Sequence, residues 1–207
     1  MNADVQSARE DLAFLKAIVG QDENSGMRPF GEAYFAAGLI YGGQMLLHAA
    51  QALGWLPASD RFSMLIGLGP TVLFIPVLIW IIRRNRAIRP SGVVGRAVGN
   101  VFATIGLANL ILIVVVGSAA WRESSVSTWL IYPCSVFVLQ GAAWLFAYMM
   151  RRLVWFLFVA AGWFASAMGM ALSVMAPAYF ILFAGAALWL CMALPGWIFM
   201  RRSPQAG

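Results

Sequence analysis

The chain has 207 residues, of which 62% are hydrophobic and 11% charged, and a mean hydropathy of +0.81. A soluble domain is about 45–50% apolar and about 25% charged, and a globule of this size cannot hide such an excess from water. That excludes an ordinary soluble enzyme, a disordered chain and a disulfide scaffold, and leaves an all-α polytopic membrane bundle. Of 14 basic residues, 13 are arginines set in pairs beside apolar runs. They read as topology signals rather than nucleic-acid contacts, despite a pI near 10.0.

The chain opens with a segment, residues 1–29, that is acidic and has no leading apolar core, so it does not read as a signal peptide. Within it, residues 4–20 predict an amphipathic helix. Val5, Ala8, Leu12, Leu15 and Val19 recur at helical spacing, opposite Arg9, Glu10, Asp11 and Lys16. Val5, Leu12, Leu15 and Val19 are the face expected to lie on the inner leaflet or to engage a protein partner. A third reading folds this acidic segment onto the arginine-rich stretch at 83–97.

Six apolar runs follow, at about 32–55, 62–82, 98–120, 126–150, 153–175 and 177–200. Each has about the 20 residues that a helix needs to cross the hydrocarbon. Together they predict a six-span domain over 30–202, with a short tail at 203–207. The links are short, so three antiparallel hairpins are the natural units. Pro70 and Pro76 predict a kink in the second run, and Pro177 is expected to start the sixth helix. The odd runs lack proline and carry small residues four apart, such as Gly38/Gly42. The odd helices are therefore expected to form an inner set, with the even ones as outer staves. A weak repeat is visible as an aromatic four residues before a glycine in each odd run: Tyr34/Gly38, Phe102/Gly106 and Phe158/Gly162.

Alternate assignment of the flanks gives 12 basic residues on one side, and only Arg61 and Arg122 on the other. The positive-inside rule then makes both termini cytoplasmic, in a multi-pass protein of the bacterial inner membrane. Trp55, Trp121, Trp129 and Tyr179 would mark the outer interface, and Trp80, Tyr148, Trp155 and Trp197 the inner one.

Chemistry at membrane depth is sparse. Glu32 sits at the inner edge of the first run and reads as a solvated flank. Cys134 and Cys191 lie in separate runs with no metal or redox spacing, and no cofactor or metal is expected. The polar positions are Tyr34, Tyr41, Gln44, His48 and Gln51 on one face of the first run, with Asn100, Thr104, Asn109 and Gln140 elsewhere. Two readings of these positions compete: hydrogen bonds between helices, or a small outward-facing polar pocket. Arg83, Arg84, Arg86, Arg89 and Arg96 form a basic patch suited to anionic headgroups or an acidic partner. With no candidate base, nucleophile or metal cluster, the expected role is non-enzymatic. A regulatory, sensing or assembly protein would act through its N-terminal helix or its membrane faces, with a protein partner or a second copy. The alternative is a small transporter or channel for a neutral or apolar solute.

Overall fold

The computed structural model describes residues 27–57, 59–86 and 93–202, and among these the only regular elements are helices. Each apolar run becomes one helix: α1 (Arg28–Ala52), α2 (Asp60–Arg84), α3 (Val93–Glu123), α4 (Val126–Arg151), α5 (Val154–Leu172) and α6 (Pro177–Arg202). Helices α2 to α6 contain five segments long and apolar enough to cross a membrane. α1 is long enough at 25 residues, but its glycines and polar stripe keep its hydropathy below theirs. The N-terminal segment, with its predicted helix and Val5, Leu12, Leu15 and Val19, lies outside the described residues, as do Arg89 and the tail.

Local chemistry sets the boundaries. Pro29 and Pro177 occupy the first turns of α1 and α6, where a missing N–H removes no helical bond. Gly54, at φ +74°, lets the chain leave α1 through a left-handed turn. Ser125 caps α4 by accepting from the Thr128 amide at 3.2 Å. Two tight links force non-glycine residues left-handed, Ser124 (φ 49°) before α4 and Arg152 (φ 55°) after it.

Inside α6, Leu188–Ala193 is wound as a π-helix. The Leu194 amide donates to the Trp189 carbonyl, five residues back, immediately before Pro195. Proline has no amide to continue an α register, and the wider turn ahead of it absorbs that break.

The helices pack in a string of spatial order α2, α1, α6, α5, α4, α3, which folds back where Phe102 of α3 meets Phe30 of α1. α2 and α3 stand at its ends and are the least covered of the five apolar helices. The predicted division into inner odd and outer even helices therefore fails: α3 is the barest and α6 is among the most enclosed. The reason lies in matched small residues. A Cβ on Gly38 would collide with the Ala193 backbone, and one on Gly196 with the Phe35 backbone. α1 and α6 approach closely because both carry small residues at the same height. Gly99 and Gly106 of α3 face open space instead. The three repeat landmarks also differ in environment. Tyr34 is buried, Phe102 is half-buried, and Phe158 is 73% exposed.

One end of the bundle gathers the N-termini of α1, α3 and α5 and the C-termini of α2, α4 and α6. Its core is aromatic. Phe30, Tyr34, Phe102, Trp144, Trp155, Phe156 and Phe199 pack with ring centroids 4.4–6.0 Å apart. Edge-on and offset contacts of this kind add dispersion and quadrupole attraction. Such packing holds helices together where lipid offers no hydrophobic drive. Nine arginines belong to the helix ends or adjoining turns here: Arg28, Arg83, Arg84, Arg86, Arg96, Arg151, Arg152, Arg201 and Arg202. Their one carboxylate companion among the described residues is Glu32. Trp55, Trp121, Trp129 and Tyr179 are exposed at the opposite end, and Trp80 and Trp197 at this one. Trp155 packs instead into the aromatic core.

Candidate functional site

A buried polar cluster centres on the Tyr34 hydroxyl. α1 delivers it into the aromatic core, and Tyr34 is 5% exposed. It accepts from Trp144 Nε1 at 2.7 Å and donates to Gln140 Oε1 at 3.0 Å. Gln140 and Trp144 lie one turn apart on α4, so their side chains present to the same neighbour. This chain of bonds joins α1 to α4, helices that are not adjacent in the string. The Trp163 indole N–H of α5 is buried and meets no acceptor among the described residues. Phe137 stacks edge-on against that indole at 4.8 Å.

A second polar cluster ties α1 to α2 at the arginine-rich end. Glu32 Oε1 pairs with Arg28 Nε at 3.1 Å, one helical turn away. Its other oxygen accepts from Asn85 Nδ2 at 3.0 Å. Asn85 is 8% exposed and also donates to the Ile81 carbonyl at 2.9 Å. The Glu32 carboxylate is thus half-buried and held on both oxygens, not the solvated flank expected from the sequence. Sequence reasoning missed Asn85 altogether. The available signal was an amide placed directly after the Arg83-Arg84 helix end, where it can cap the last carbonyls.

The stripe of α1 does not converge. Tyr41 turns to α2, its hydroxyl 3.3 Å from Thr71 Oγ1 and its ring 5.8 Å from Phe74. His48 Nδ1 lies 3.3 Å from Gln51 Oε1, and Gln51 Nε2 donates to the Pro57 carbonyl at 2.9 Å. Gln44 is half-buried. Asn100 and Thr104 are exposed on α3. The Asn109 carbonyl oxygen is covered but without a partner. Only Gln140 is brought to a stripe residue, Tyr34. Arg83, Arg84, Arg86 and Arg96 are exposed.

An apolar groove of about 440 Å³ runs between α4 and α5, where Cys134, Ser135, Phe164 and Met168 line the wall. Ser135 spends its hydroxyl on the Ile131 carbonyl at 2.9 Å, which leaves the groove no free donor from that side chain. Both cysteines are unpaired, and Cys191 lies against Gly162. Among the described residues no three His, Cys, Asp or Glu side chains gather as a metal-binding group. The geometry can therefore fix helices against one another. No protein-family model, curated protein or solved structure matches the chain.

Proposed function

We propose that the chain is a non-enzymatic, six-span protein of the bacterial inner membrane that regulates, senses or assembles a membrane partner. In this reading α1 spans with the other five, in three hairpins, and the arginine-rich end with both termini is cytoplasmic. The observation that carries the reading is the fate of the polar side chains. Tyr34, Gln140 and Trp144 bond one another, Tyr41 turns to Thr71, and Gln51 bonds the loop after α1. Polar groups spent on architecture favour a scaffold over a solute path, which needs them turned to a common lumen. α2 and α3 supply the faces for a lateral partner or a second copy, and the amphipathic segment at 4–20 supplies one for a cytoplasmic partner. The patch at Arg83, Arg84, Arg86, Arg89 and Arg96 adds attraction to anionic headgroups of the inner leaflet.

Affinity capture from membranes with the full chain and with residues 1–26 deleted tests the partner role. The reading expects a partner that the full chain retains and the deletion loses. Solute flux through proteoliposomes of the purified protein alone would replace it with the transporter reading.

A further inference from the structure

We propose that Trp80–Arg84 and Trp197–Arg201 form two matched seats for the phosphate of an anionic phospholipid headgroup, one on each side of the start of α1. In both pairs the arginine follows the tryptophan by four residues, one helical turn. The Arg84 guanidinium carbon lies 5.1 Å from the Trp80 ring centroid, and that of Arg201 lies 4.1 Å from the Trp197 centroid. Both pairs sit at the C-terminal ends of helices that flank α1. The levels match: Asn85, just past α2, bonds Glu32, and Phe199 and Met200 of α6 lie against Gly31.

Three features make these seats rather than loose charges. Both arginines are exposed, and neither has a carboxylate partner among the described residues. Glu32, the carboxylate described at this end, is already held by Arg28 and Asn85. A guanidinium lying over an indole is also held by cation–π attraction while its in-plane N–H groups stay free. Those edges match two phosphate oxygens at once, and the stack reduces the ordering cost of gripping them. Finally, tryptophan prefers headgroup depth, which is where a phospholipid phosphate lies. Trp80 and Trp197 are 57% and 37% exposed, so the rings border lipid rather than core.

This inference rests on the reading that these helices cross a bilayer with both seats at one surface. The test is lipid-dependent thermal stabilisation of the full chain in detergent. Phosphatidylglycerol, phosphatidylcholine and inorganic phosphate are titrated separately. Phosphatidylglycerol should stabilise the protein, and the other two should not. Arg84→Lys and Arg201→Lys keep the charge but lose the planar fork, while Trp80→Leu and Trp197→Leu lose the stack. Each should raise the half-saturating phosphatidylglycerol fraction by up to about fivefold, and the paired variants more. Arg83→Lys and Arg202→Lys, neighbours without a stack, should leave it unchanged. Equal effects at 83 and 84, or no effect of the tryptophan variants, would overturn the seats and leave only general charge attraction. Stabilisation by inorganic phosphate alone would overturn the lipid as ligand. Failure of the membrane topology itself would show in side-specific labelling, which does not depend on these side chains.

Discussion

Replacing Tyr34 with Phe removes one oxygen from the interior and leaves two groups unpartnered. Trp144 Nε1, 2.7 Å away, loses its acceptor, and Gln140 Oε1, 3.0 Å away, loses its donor. Trp144 is 1% exposed, so water cannot substitute without opening the aromatic core. Leaving a buried polar group unsatisfied costs about 1–3 kcal/mol. Within membranes the coupling across such an interhelical bond averages about 0.6 kcal/mol and reaches about 1.7 kcal/mol. The expected loss for Tyr34→Phe is therefore about 1–3 kcal/mol. For a protein of this size that lowers Tm by about 3–10 °C. The assay is thermal unfolding in detergent, followed by tryptophan fluorescence, with a double-mutant cycle against Gln140→Leu. The cycle should show a coupling of about 0.5–1.5 kcal/mol. An unchanged Tm for Tyr34→Phe, or strictly additive losses in the cycle, would refute the claim that this hydroxyl fastens α1 to α4.

The α1–α6 contact predicts a sharp contrast among glycines. Gly38→Ala and Gly196→Ala push a methyl into backbone of the facing helix and should each cost about 1–3 kcal/mol. Gly43→Ala, with nothing within 4 Å of the added atom, should leave Tm unchanged or slightly raised; equal losses at all three would contradict the packing. Glu32→Gln keeps an acceptor for Asn85 and weakens only a partly exposed ion pair, so its cost should stay below about 1 kcal/mol. Glu32→Leu and Asn85→Leu should each cost more, and a cycle between Glu32→Leu and Asn85→Leu should be non-additive. Additivity there would separate α1 from α2 at this end.

How far the sequence could be read depended on the range of the interaction. Helix starts and stops follow from neighbours in the chain. The apolar runs, Pro177 and the end of α2 after Arg84 were accordingly legible to within a few residues. An interhelical bond at Gln140 is one of the two readings that its sequence allows, because an amide in lipid must find a partner. Its partner was not legible, since nothing local says that Tyr34 turns away from Tyr41 and toward α4. Trp144 carried no mark distinguishing a buried donor from a belt tryptophan. Small-residue spacing misled for α3. Gly99 and Gly106 resemble the glycines of α1, but a close approach needs small residues on both helices. Only α6 answers α1 in that way, through Ala193 and Gly196. The π-helix before Pro195 had the proline as its only clue.

The central claim is that all six helices cross the bilayer, with the arginine-rich end on the cytoplasmic side. Single cysteines placed at Ser7, Ser59, Arg86, Ser124 and Arg202, in a background of Cys134→Ser and Cys191→Ala, test it directly. In intact cells a membrane-impermeant maleimide should label positions 59 and 124. Positions 7, 86 and 202 should react only after permeabilisation. Labelling of position 7 from outside would remove α1 from the membrane, and labelling of position 86 from outside would invert the charge argument on which the orientation stands.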